Sequence, residues 1–70
     1  MNLTNREIEV LKLLCFSNYE IAQELDIAVN SVRNYVSDIF NKLGTNNRQT
    51  AQIKAVKLGI VKLDEIITEG

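Results

Sequence analysis

Asn30, Arg33, Asn34 and Ser37 recur three and four residues apart, a spacing that sets side chains on one face of an α-helix. All four form hydrogen bonds and none is a carboxylate, with Asp38 lying on the flank. Arginine can bridge O6 and N7 of guanine, and asparagine can pair with N6 and N7 of adenine. The set therefore suits the edges of base pairs. A solvent-facing helix without a partner more often mixes Glu and Lys for i,i+4 pairs. A merely solvated polar face is the alternative reading of the same residues.

Other chemistries find little to work with. There is no histidine and a single cysteine, Cys15. That removes an internal disulfide, any zinc site of ordinary composition and most nucleophile–base schemes. The expectation is a non-enzyme with no cofactor, metal or small-molecule ligand in this domain. Cys15 reads as a small apolar filler of the core. Phe16 and Tyr19 read as packing residues between the first two helices, and Glu7 and Glu9 as a cap and a surface residue. No apolar run approaches the ~20 residues of a membrane span. The N-terminus does not resemble a signal peptide, so no membrane partner is expected and the cytoplasm is the default.

The elements that must carry the polar face follow from punctuation. Thr4-Asn5-Arg6-Glu7 and Ser17-Asn18-Tyr19-Glu20 are capping boxes, in which a hydroxyl and a carboxylate reciprocally satisfy backbone N–H groups. They open helices expected over residues 5–15 and 18–25, and Leu25 to Ala28 form the turn. A third helix over 29–43 sets Val32, Tyr35, Val36, Ile39, Phe40 and Leu43 on one side and the polar set, with Asn41, on the other. Gly44 follows where a left-handed cap belongs. Asn47 caps a fourth helix over 48–58, on which Ala51, Ala55 and Leu58 share a face and Ile53 and Val56 form a second apolar edge. The tail promises one further turn around 63–67. The fold class is all-α: a four-helix domain over 1–61 with a tail, 62–70, holding a short helical extension.

Seventy residues make one domain at most. A chain of this size buries only about 60% of its unfolded surface, so oligomerisation or close helix packing must contribute. The formal net charge of −1 hides an asymmetry. Residues 27–61 carry Arg33, Lys42, Arg48, Lys54 and Lys57 against Asp38, for +4, whereas residues 1–26 sum to −3 and 62–70 to −2. A basic centre between acidic ends is an electrostatic footprint for nucleic acid, or else chance scatter.

The second helix, tight turn and third helix form a helix-turn-helix candidate, a motif whose second helix enters the major groove. Several segments then occur in order: Leu3 to Leu11, Ser17-Asn18-Tyr19-Glu20-Ile21-Ala22, Leu25-Asp26-Ile27, Ser31-Val32-Arg33-Asn34-Tyr35, Lys42-Leu43-Gly44, Arg48, Ala51 and Gly59-Ile60-Val61. Together they resemble the LuxR/GerE-type helix-turn-helix of bacterial transcription regulators over residues 3–61. The resemblance implies a four-helix domain whose third helix reads double-stranded DNA and whose fourth pairs two copies. It implies groove-facing roles for Arg33, Asn34 and Ser37, with Asn30 added from the helical face. Ser17, Asn18, Ser31, Tyr35 and Lys42 match positions near phosphates. Arg48 matches a basic position at the start of the fourth helix, and its alternative is an ion pair with Glu7 or Glu9.

Four departures from that family pattern stand out. Two residues, one of them glycine, are missing between the first two helices. Ala28 stands where a serine cap is common, and losing such a cap costs roughly 1 kcal/mol. Tyr35 replaces a frequent histidine. Gln52 replaces an apolar residue, which shifts the expected dimer surface toward Ile53, Val56 and Ile60. The reading is a dimeric, sequence-specific DNA-binding regulator of transcription, with RNA polymerase as a further partner. Its rivals are a dimeric protein-interaction module that binds another regulator or RNA polymerase without reading DNA, and a fragment like the last region of a sigma factor.

Overall fold

Both capping boxes form as their chemistry requires in the computed structural model, which describes residues 2–67. Thr4 Oγ1 accepts from the Glu7 N–H at 3.1 Å, and Glu7 accepts from the Thr4 N–H at 2.8 Å. Ser17 and Glu20 repeat the exchange at 3.1 and 3.0 Å. These boxes start α1 (Asn5–Lys12) and α2 (Asn18–Leu25). Next come α3 (Val29–Leu43), α4 (Arg48–Lys57) and a single 3-10 turn over Leu63–Glu65.

The turn between α2 and α3 is tight because Asp26 adopts the left-handed conformation, φ 55°. The Ile27 N–H can then return to the Ala22 carbonyl at 3.0 Å. Gly44 ends α3 in the same way, at φ 67°, and the Thr45 N–H reaches the Phe40 carbonyl at 3.1 Å. A β-carbon is disfavoured in this region of φ, which explains the glycine.

α3 is the central helix. Its Val32, Val36, Ile39 and Leu43 are buried against Val10 and Leu11 of α1, Ile21 and Ala22 of α2, Ala51 and Ala55 of α4, and Val61, which follows α4. Each fully buried large aliphatic side chain contributes about 1.5–3 kcal/mol. The two alanines let α4 approach closely. The polar face of α3 is thereby turned outward by the same helix whose other side holds the core.

Helix 1 ends at Lys12, three residues before the expected Cys15. Leu13 and Leu14 are buried all the same, so the apolar pattern continues where the helix does not. With no glycine available, the chain tightens into successive i→i−3 bonds: Leu13 to Val10, Leu14 to Leu11 and Phe16 to Leu13. Carbonyls at the end of α1 find distant donors instead of a left-handed cap. Gln52 Nε2 donates to Leu11 O at 3.0 Å, and the Ile67 N–H donates to Lys12 O at 3.1 Å.

Four further expectations are corrected. Cys15 is exposed, its thiol lying against the Ile67 carbonyl, because the turned junction points it out of the core. Tyr19 is 61% exposed, with its hydroxyl bonded to Gln23 one turn away; Phe16 alone of the pair packs against the core. Leu58 is 64% exposed, because α4 has already ended at Lys57. The tail turn covers Leu63–Glu65 and does not extend to Ile67; residues 68–70 of the expected tail lie outside the described ones.

Candidate nucleic-acid interface

Asn30, Arg33, Asn34 and Ser37 are all exposed on the outward side of α3. None of them makes a side-chain hydrogen bond or ion pair among the described residues. Ser31 and Tyr35 flank them, half-buried. Ala28, at the N-cap, supplies no side-chain bond, and Asn30 does not replace it, so the first backbone N–H groups of α3 have no side-chain cap among the described residues.

Helix packing brings α2 and the loop after α3 to the edge of this face. Asn18, Arg33, Ser37, Asn41, Thr45 and Asn46 surround a shallow cleft floored by Val36 and Phe40. No carboxylate lines it. Ser17 has its hydroxyl and N–H engaged in the α2 capping box. Asn41, Thr45 and Asn46 line the cleft without being candidate site residues from the sequence. Asn41 shares the polar face of α3, whereas Thr45 and Asn46 form only a polar loop in sequence, and the one signal for their placement is that they directly follow the Gly44 cap.

The cations of the basic centre are mostly engaged inside the domain. Lys42 Nζ lies 2.7 Å from Glu7 Oε1 and ties α3 to α1. Glu7 is only 3% exposed. Burial pushes its carboxyl up, but hydrogen bonds from Lys42 and Thr4, with the Lys42 charge, outweigh that and hold it below the ordinary glutamate value. Lys54 Nζ donates to the carbonyls of Leu43 and Gly44 at 3.1 and 3.4 Å, a cation placed at a helix C-terminus.

Arg48 does not pair with Glu7 or Glu9, whose partners are Lys42 and Arg6. Arg48 donates instead to the carbonyls of Leu14 and Phe16, at 3.2 and 2.9 Å, and to Asn18 Oδ1. Within residues 27–61, only Arg33 and Lys57 lack a protein partner among the described residues. The +4 of that segment is therefore far from a patch of four free charges.

On α4, Gln52 is buried by its bond to Leu11 O and contributes to the interior. Ile53 is 54% exposed and Val56 is half-buried. Both line an apolar groove whose other wall comes from Leu63 and Ile66 of the tail. Ile60 is half-buried and does not line this groove. The protein-interaction rival already joins the tail to the Ile53 and Val56 edge, but nothing local in the sequence names Leu63 and Ile66 as the residues that do so. No helix among the described residues is long and apolar enough to cross a membrane.

The chain is similar to known proteins along most of its length. A family described as bacterial regulatory proteins of the luxR family matches residues 1–55. The transcriptional regulatory protein LnrK of Bacillus subtilis (strain 168) is 44% identical over 62 residues, covering 86% of this chain and 28% of that protein. The transcriptional regulatory protein DegU of Brevibacillus brevis is 41% identical over 63 residues, covering 87% of this chain and 27% of that protein. The HTH-type transcriptional regulator MalT of Vibrio campbellii is 41% identical over 58 residues, covering 80% of this chain and 6% of that protein. The chain thus spans about a quarter or less of the length of these relatives.

Proposed function

This chain belongs to the luxR family of bacterial regulatory proteins, and on that premise we propose that it regulates transcription by reading the sequence of double-stranded DNA with α3. A domain of this family is a DNA-binding regulatory module and not an enzyme. The observation that carries the finer reading is the outward face of α3: four exposed hydrogen-bonding side chains with no internal partner. Arg33 and Asn34 read bases in the major groove, joined by Asn30 and Ser37. Ser17, Asn18, Ser31 and Tyr35, with backbone N–H groups at the start of α3, orient the duplex through its phosphates. Lys42 stands nearby with one of its three donors already given to Glu7.

Two copies act together. The groove of Ile53 and Val56 on α4, widened by Leu63 and Ile66, is the surface on which they meet. Pairing matters because each copy offers few free cations. With one or two phosphates neutralised per copy, a dimer's log–log salt slope is about −2 to −4. The site of action on this reading is the cytoplasm, and RNA polymerase is a further partner once the protein sits on DNA.

Selection from random duplex pools at two salt concentrations, with sequencing of the bound fraction, tests the reading. The expected product is a palindrome whose half-sites lie about one helical turn apart. Absence of any enrichment at low salt, from a protein that sediments as a clean dimer, would overturn it in favour of a protein-interaction module.

A further inference from the structure

Arg48 opens α4, where a cation is ordinarily read as reaching for phosphate, yet its guanidinium is turned inward. One nitrogen serves the Leu14 and Phe16 carbonyls and the other serves Asn18 Oδ1. A guanidinium only donates, so the amide atom facing it must be oxygen. That settles the orientation of the Asn18 carboxamide: its NH2 group, with two donors, is turned away from Arg48. The NH2 has no protein acceptor among the described residues. Asn18 lines the cleft beside Arg33, Ser37 and Thr45, where no carboxylate competes for a donor.

We propose that Arg48 is a positioning residue, which contributes to duplex binding by holding the Asn18 amide with its NH2 toward a DNA phosphate and makes no phosphate contact of its own. The proposal rests on the DNA-binding reading above. A cation bonded to the amide oxygen polarises the group and strengthens its N–H donors. Without Arg48, the amide is free to turn its oxygen, a repulsive acceptor, toward the phosphate. Arg48 is itself held in place by the junction. Swinging outward would strand the Leu14 and Phe16 carbonyls, and unsatisfied acceptors are costly.

The test compares the 70-residue chain with Arg48→Met, Asn18→Ala and the double variant. Binding is measured on one mixed-sequence duplex of about 30 base pairs, long enough for two half-sites, between about 50 and 200 mM salt. Each single variant is expected to bind about tenfold more weakly per copy, and so about a hundredfold more weakly as a dimer, the worth of one hydrogen bond to a charged group in each copy. The double variant should bind no more weakly than Asn18→Ala alone, and the salt slope should be unchanged in all three. A slope reduced by about 1.8 in Arg48→Met, the signature of one lost phosphate contact in each of two copies, would overturn the proposal. So would unaltered binding by Asn18→Ala. Circular dichroism reports whether Arg48→Met folds; if it does not, Asn18→Ala, which keeps both carbonyl bonds to Arg48, decides the matter. Failure of the unaltered chain to bind the duplex at low salt would instead refute the DNA-binding reading, and the proposal with it.

Discussion

Replacing Lys42 with methionine removes an ammonium 2.7 Å from Glu7 Oε1 while keeping most of the aliphatic stem. The carboxylate left behind has a side chain only 4% exposed and keeps the Thr4 N–H as a partner at 2.8 Å. Breaking a fully buried pair costs about 3–5 kcal/mol, whereas an exposed pair is worth about 1 kcal/mol or less. The Lys42 side chain is 35% exposed, so water screens the charge in part, and a loss of about 2 kcal/mol at neutral pH follows from these limits. In a domain of this size that lowers Tm by about 8–16 °C.

The pH dependence separates this cause from lost packing. The native pKa of Glu7 is depressed, so its contribution to stability is full above the ordinary glutamate value and is lost as pH falls through the native value. In Lys42→Met, burial meets less opposition and Glu7 takes up its proton at higher pH. The gap between the two proteins must therefore close on acidification. Urea unfolding at steps from neutral to about pH 3 measures it. A gap that stays constant over that range would refute the reasoning, as would a Glu7→Gln/Lys42→Met double variant no more stable than Lys42→Met.

Arg33→Ala should cost about 1–3 kcal/mol of duplex binding and relax preference at one base position in a repeated selection; uniform weakening across all sequences would count against base reading. Ala28→Ser should raise stability by about 1 kcal/mol. The backbone at Ala28 already has the extended geometry of an N-cap, φ −70° and ψ 147°, and a thermal melt with no gain would show that the cap does not form. Ile53→Glu should leave unfolding free energy within about 0.5 kcal/mol of the parent while abolishing the dimer in sedimentation and weakening binding to the selected palindrome. A dimer that persists would remove the α4 groove from the interface.

Helix starts were the most legible part of the sequence. Thr4 with Glu7, and Ser17 with Glu20, are local chemistry whose partners lie three residues away. Gly44 marked the end of α3 for the same reason, and the hydrogen-bonding face of α3 followed from helical period alone. The end of α1 was not legible, because Leu13 and Leu14 are buried whether or not the helix continues. The same turned junction reversed the reading of Cys15. Lys42 and Lys54 read as cations of the basic centre, and Arg48 as either a phosphate contact or an internal ion pair with Glu7 or Glu9, since charge shows in a sequence and its partners do not. Their acceptors are Glu7, the Leu14 and Phe16 carbonyls, and the end of α3, and for the first two residues those lie more than thirty positions away. Gln52, read as a departure on an outer surface, is an interior amide for a similar reason: the Leu11 carbonyl it serves is 41 residues distant.

The closure of α1 by Gln52, Arg48 and the Ile67 amide also bears on how the chain folds. A helix that ends in a glycine cap can be finished by its own residues. At the end of α1, the Val10, Leu11 and Leu13 carbonyls are met locally, but those of Lys12, Leu14 and Phe16 wait for α4 and the tail. A folding nucleus of α1, α2 and α3 alone would leave those acceptors to water and the junction open. Completion of the first helix is thus deferred until the last elements dock, which raises the contact order and joins the two ends of the chain in one cooperative unit. The Gln52 side-chain amide and the Ile67 backbone amide lie far along the chain, yet their solvent exchange reports the opening of the N-terminal helix.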